Sequence, residues 1–125
     1  MTASPGNKFR PWDVVLVPFP YNEQAAVLRT RPAVVVSGAR LSQATRMYYV
    51  AMVTNAEHRP WDGDVAVSDL KLAGLPIASI VRSAKIATID QSAIVRTLGT
   101  LPNPDRAALA GAIRGYLARA ESAER

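Results

Sequence analysis

Residues 29–37, Arg29-Thr30-Arg31-Pro32-Ala33-Val34-Val35-Val36-Ser37, decide how this chain is read. A charged approach runs into four apolar residues in a row, three of them β-branched, which is the composition of a strand covered on both faces. Gly38 bounds it on the far side. Pro32 has no backbone donor and biases Arg31 toward the extended region, so the strand is expected to begin there, at an edge or a mouth of a sheet. Arg31 is then carried at the rim of a rigid element, where its planar guanidinium suits a phosphate. The same nine residues also describe a solvated arginine that merely flanks a strand.

Working outward, residues 12–19 (WDVVLVPF) read as a strand with apolar residues on both faces, ended by Pro18 and Pro20. Residues 20–30 form a connection longer than a tight hairpin, a candidate flap beside Arg31. Leu41 to Thr45 fits one helical turn. Residues 47–54 (MYYVAMVT) form a third strand ending on Thr54. A polar loop over 55–63 holds the only histidine, His58, and closes on an Asp62-Gly63 turn. A short strand over 64–67 and a connection over 68–78, broken by Gly74 and Pro76, lead to a strand over 79–89 with a central irregularity. There Ile80, Arg82 and Ala84 point one way and Val81, Ser83 and Lys85 the other. A turn at Asp90-Gln91-Ser92 precedes a last extended segment over 94–101.

A helix closes the chain. Asn103 reads as its N-cap, Pro104 as its first residue and Asp105 as a first-turn acid. Leu109, Ala112, Ile113, Tyr116 and Leu117 share one face, expected against the sheet. Ala107, Gly111 and Gly115 make a small-residue row, either a close approach of another backbone or a tolerated defect. Residues 1–11 are expected to be a loose arm and 12–120 a single domain, mostly β with a C-terminal helix, in which a small, curved, barrel-like sheet packs on that helix. Open sheet edges make dimerisation expected.

Composition sets the class of partner. With 125 residues and 49% hydrophobic content, one real core is expected and wholesale disorder is not. No cysteine is present, which rules out disulfides and thiolate metal sites, and a single histidine makes a metal or other cofactor unexpected. No apolar run resembles a signal-peptide core or approaches the ~20 residues of a membrane span, so a cytoplasmic protein away from membranes is expected. Fifteen Lys and Arg against ten Asp and Glu give a net charge of +5, favouring a polyanion such as nucleic acid or an acidic protein segment.

Taken in order, the run 12–19, the Arg31-Pro32-Ala33-Val34-Val35-Val36-Ser37 strand and Ala51-Met52-Val53-Thr54 resemble the MazF (PemK, Kid) toxins of type II toxin–antitoxin systems. So do Gly74-Leu75-Pro76, Ser79-Ile80-Val81-Arg82 leading to Lys85-Ile86-Ala87-Thr88-Ile89-Asp90, and the closing Leu98-Gly99-Thr100-Leu101. The resemblance covers residues 12–118. It implies an SH3-like small barrel of the MazF/PemK/CcdB type, a homodimer, metal-independent cleavage of single-stranded RNA, and neutralisation by an acidic cognate antitoxin. It also places the family's essential arginine at Arg31 and its essential threonine at Thr54. The chain departs from the pattern at Trp12, where the family has Gly before Asp, and at Ala87, where many members carry arginine.

The chemistry can be stated independently of that resemblance. Attack of a ribose 2′-hydroxyl on the adjacent phosphate needs alignment, a cation over the developing charge and proton transfer at both ends. Arg31 meets the charge requirement, and Thr54 offers a hydroxyl from a strand end. Neither is a good general base. Asp13 and His58 are the candidates, but an early-strand aspartate more often satisfies nearby backbone donors, and His58 reads first as a plain exposed loop residue or a loose substrate contact. Arg29, Thr30, Arg82 and Lys85 read as RNA-binding groups, and Tyr21, Tyr48, Tyr49 and Trp61 as stacking surfaces or, for the strand tyrosines, core. Two other readings stand beside the ribonuclease: a gyrase-inhibiting toxin on the same fold, and a non-catalytic module that binds nucleic acid or antitoxin.

Overall fold

The computed structural model describes residues 8–20 and 28–122. Six antiparallel strands form one sheet: β1 (Asp13–Pro20), β2 (Leu28–Val35), β3 (Met47–Asn55), β4 (Asp64–Ala66), β5 (Ser79–Asp90) and β6 (Arg96–Thr100), in the order β4-β5-β3-β2-β1-β6. Three helices accompany them: α1 (Ala39–Thr45), α2 (Leu70–Ala73) and the long α3 (Asn103–Ser122). The expected class, mostly β with a C-terminal helix, holds.

The three central strands bury alternate residues on opposite faces. Val14, Val34, Ala51 and Val53 join Ala73, Leu75, Leu101 and Leu109 in a core under α2 and α3. Val15, Val17, Ala33, Val35, Val50 and Met52 form the second core, closed by Phe9 and Ile94. Cover on both faces is why these strands read as unbroken apolar runs. Phe9 lies inside the stretch expected to be a loose arm, yet it is buried edge-on against Tyr48, whose hydroxyl accepts its backbone N–H at 3.2 Å. The rest of that arm (1–7), most of the candidate flap (21–27) and residues 123–125 lie outside the described residues.

Pro32 does not start its strand, contrary to the sequence reading. β2 begins at Leu28, and Leu28 to Val34 pair with Pro20 to Val14 of β1. What Pro32 ends is the pairing with β3. Val36 donates to Tyr49 O at 2.9 Å, so alternation aims the polar groups of positions 34 and 32 at β3 as well. Position 32 has no N–H to offer, and the β2–β3 ladder stops at Ala33 opposite Met52. Pro18 and Pro20 likewise sit within β1 rather than ending it. Leu16 O accepts Val95 N at 2.8 Å, so even positions of β1 face the β6 side, where the ladder has run out by Pro18.

Two bulges bend the sheet. Between Ala51↔Ile86 and Met52↔Arg82, residues 83–85 of β5 oppose nothing on β3, and β1 shifts register against β6 between Val14 and Val15. Trp12, at the start of β1, takes φ 75°, the left-handed region that a glycine would enter without strain. Two backbone bonds hold it there: its N–H to Val35 O at 2.7 Å and Leu101 N–H to its own carbonyl at 2.9 Å.

Sequence reading missed α2 in the 68–78 connection because it is a single turn made by its caps. Asp69 Oδ1 accepts Leu72 N–H at 3.0 Å, and Gly74 closes the turn at φ 74°. α3 is capped one residue earlier than expected, by Pro102, whose carbonyl accepts Arg106 N–H at 3.1 Å. Its Asp105 is buried and takes Ser68 N–H at 2.8 Å and Ser68 Oγ at 3.1 Å, tying the helix to the β4–α2 connection. Only the first part of its apolar face packs as expected. Leu109 is fully buried, Ala112, Ile113 and Tyr116 are half-buried, and Leu117 is 64% exposed. The row at Ala107, Gly111 and Gly115 faces open space within this chain. Asp90, which accepts both the N–H and the hydroxyl of Ser92, has its carboxyl held below the usual range by those bonds.

α2 lies directly on β6. A Cβ added at Gly74 would stand 2.1 Å from the Leu98 carbonyl oxygen, in a backbone conformation that side chains resist. Gly74→Ala is therefore expected to destabilise the protein by about 2–4 kcal/mol, read as a lowered urea midpoint with unchanged m-value.

Candidate active site

Where the β2–β3 ladder stops, the two strands leave a gap floored by Val53, with Arg31 on one side and Thr54 on the other. A cavity of about 550 Å³ on one flank is lined by Phe19, Arg31, Met52, Thr54 and the loop residues His58, Arg59 and Trp61, with Arg82 and Lys85 from β5. A second cavity, of about 410 Å³, also reaches Arg31, Thr54 and Val53 and is walled by Pro76, Ile77, Leu98 and Arg96. Arg31 and Thr54 are thus shared by both. Thr54 owes its position to β5, against which it pairs at Ile80. Arg31 owes its position to β1, opposite Val17.

The other candidates divide. Arg82 and Lys85 reach the first cavity. Arg29 and Thr30 do not; they are exposed and line an open depression with Arg31 and Pro32. Arg82, read from sequence as an RNA-binding charge, is engaged within the protein. It is buried, its Nη2 donates to Arg59 O at 2.7 Å, and its guanidinium carbon stands 4.1 Å from the centre of the Trp61 ring. Its Nε lies 3.9 Å from Asp64 Oδ1, an ion pair too long for a hydrogen bond. The central irregularity expected in this strand is present, as the bulge at residues 83–85. Lys85 remains exposed, with Nζ 5.3 Å from the Phe19 ring centre.

Two general-base candidates separate as well. Asp13 turns back to accept Arg10 N–H at 2.9 Å and lines none of these cavities. His58 is exposed on the rim of the first. Among the described residues no Asp or Glu lines the two cavities that share Arg31 and Thr54, and their charged lining residues are all Arg or Lys. No group of three or more His, Cys, Asp and Glu side chains gathers among them either. Tyr48 is core and Tyr49 is 46% exposed, while Tyr21 lies outside the described residues. Phe19, Arg59 and Arg96 were not singled out in sequence. Their approach depends on which strand ends meet, and no local pattern carries that.

Comparison with known proteins gives a consistent result. Residues 10–117 match the model of a family described as PemK-like, MazF-like toxin of type II toxin–antitoxin system. No curated protein matches significantly. Among solved structures, the chain resembles an endoribonuclease from a mycobacterial species in complex with its cognate antitoxin, at 18% identity, 87% of this chain, 94% of that one and TM-score 0.68. It resembles the Mycobacterium tuberculosis toxin MazF-mt6 at 22% identity over 81% and 91%, TM-score 0.65. For the MazE–MazF structure from Deinococcus radiodurans (Form III) the values are 21%, 87% and 95%, with TM-score 0.69. At these identities the likeness is one of fold.

Asp64 supports the loop wall twice, through Arg82 and through Trp61 N–H, which it accepts at 2.8 Å. Asp64→Ala is expected to cost about 3 kcal/mol in urea unfolding, because it strands a buried guanidinium. Adding Arg82→Met should recover part of that loss; additive losses would show that the pair is not coupled.

Proposed function

The chain belongs to the PemK-like, MazF-like toxin family of type II toxin–antitoxin systems, and from that premise we propose that it is a metal-independent endoribonuclease that cuts single-stranded RNA. The observation that carries this reading is the pairing of Arg31 with Thr54 at one gap in the sheet, open to a cavity on either side. An RNA strand laid across the gap places one phosphate over both groups and a nucleotide in each flank. Arg31 balances the charge that grows on the phosphoryl oxygens as the 2′-hydroxyl attacks, and its planar fork holds two oxygens at once. Thr54 donates to a phosphate oxygen or orients the attacking hydroxyl, from a strand that keeps it still. Among the described residues no carboxylate lines either cavity, which favours approach of a polyanion.

We place the toxin in a homodimer, through the open small-residue row of α3 and the exposed side chains of Leu117 and Ile86. Its inhibitor is an acidic antitoxin segment, attracted by the +5 charge and the Arg31, Arg59, Arg82, Lys85 and Arg96 side chains around the gap. The solved MazE–MazF and endoribonuclease–antitoxin structures provide the precedent for that partner.

Arg31→Ala should lower the single-turnover cleavage rate of a long unstructured RNA in EDTA by several orders of magnitude. It should weaken RNA binding little, since one lost phosphate contact changes the single-strand salt slope by only about 0.7. Arg31→Lys should rescue little, and Thr54→Val should also cripple cleavage with the fold intact. His58→Ala should keep activity within about tenfold, as suits a residue on the rim rather than a principal acid or base. Full loss in His58→Ala with normal cleavage by Arg31→Ala would move the chemistry to the histidine. Inhibition of DNA supercoiling without RNA cleavage would replace the ribonuclease by a gyrase poison, and RNA binding without cuts would make the chain a binding module. Separately, sedimentation at micromolar concentration should give a dimer mass, and a monomer would overturn the assembly proposed here.

A further inference from the structure

The 550 Å³ cavity beside Arg31 has more structure than phosphate recognition needs. Two aromatic rings wall it, and each carries a cation: Phe19 with Lys85 Nζ at 5.3 Å, and Trp61 with the Arg82 guanidinium at 4.1 Å. Trp61 belongs to an exposed loop, yet it is fastened at both ends. Its N–H donates to Asp64 Oδ2 at 2.8 Å, its indole lies under Arg82, and Arg82 is bonded to the loop at Arg59 O. Trp61 as a residue nevertheless remains 45% exposed. A large aromatic side chain held in place by its neighbours and lining a hollow with Arg and Lys side chains offers a ready stacking surface to a flat ligand.

We propose that this hollow is a base-stacking subsite and that Trp61 is its base-binding residue, taking the nucleobase next to the phosphate held by Arg31; the proposal rests on the ribonuclease reading above. A cavity of this size suits one nucleotide. Whatever fills it must be joined to what Arg31 and Thr54 hold, because they share its wall. Splayed single-stranded RNA supplies such a planar group one sugar away, and stacking on aromatic rings and guanidinium planes is how unpaired bases are read. The bound Arg82 stiffens the indole rather than serving as mobile phosphate-tracking charge.

The test uses tryptophan emission and two uncleavable probes: a 2′-O-methyl oligoribonucleotide of degenerate sequence and an oligomer of the same length whose positions are all abasic. The base-bearing probe should quench wild-type emission, with the quench gone in Trp61→Phe, whose remaining indole is Trp12. Trp61→Ala should bind that probe about tenfold more weakly, and Trp61→Phe should restore most of the affinity. For the abasic probe, wild type and Trp61→Ala should bind alike. Equal quenching by both probes, equal weakening of both by Trp61→Ala, or no binding of the base-bearing probe would each overturn the subsite. If the binding pattern held while wild type cut no RNA, the ribonuclease reading would fall and the stacking site would stand.

Discussion

One missing hydrogen-bond donor organises the molecule. The backbone of β2 bonds to β1 through its odd positions and to β3 through its even ones, and position 32 is where the second set needs an N–H. Proline has none. Strand β2 therefore continues as a rigid partner of β1 while its bond to β3 lapses, and a gap opens just beyond a fully buried stretch formed by Ala33, Val34 and Val35 of β2 with Val50 and Ala51 of β3. An opening made this way differs from one made by a flexible loop. Its walls are the sheet itself, so Arg31 and Thr54 inherit the stiffness of the core instead of paying ordering entropy when a substrate arrives.

Charge around that gap is arranged by exclusion as much as by attraction. Three aspartates have their carboxylates engaged by neighbours: Asp13 with Arg10 N–H, Asp64 with Trp61 N–H and Arg82, and Asp62 with the Tyr116 hydroxyl at 2.8 Å. Arg82 is buried into the loop it supports, and Lys85 stays at the surface because the bulge at residues 83–85 turns it outward. One strand thus supplies a structural cation and a solvent-facing one three positions apart.

The departure at Trp12 follows a similar logic. Left-handed backbone at this corner lets Trp12 bond to Val35 on one side and Leu101 on the other, joining the start of β1 to the ends of β2 and β6. Glycine meets that demand without strain; tryptophan meets it at roughly 1–3 kcal/mol, offset by packing of its half-buried ring on the core beneath α2 and α3.

Order, type and approximate extent of the long elements were legible from sequence, because apolar β-branched runs covered on both faces have few other conformations and because helix periodicity is local. Arg31 and Thr54 entered as candidates through the family resemblance; strand pattern alone also reads them as a solvated arginine and a loop cap, and their catalytic role is the proposal made above. Local pattern could not show that Pro32 ends a pairing and not a strand, because which neighbour an N–H faces depends on register across three strands. An irregularity in the middle of β5 was legible, but local pattern could not show that Arg82 is buried there against Trp61, or that Phe9 is core. Those facts rest on contacts between segments 20 to 40 residues apart, and only the folded sheet decides them: Arg82 bonds Arg59, Phe9 bonds Tyr48, and β2 leaves β3 at a single proline.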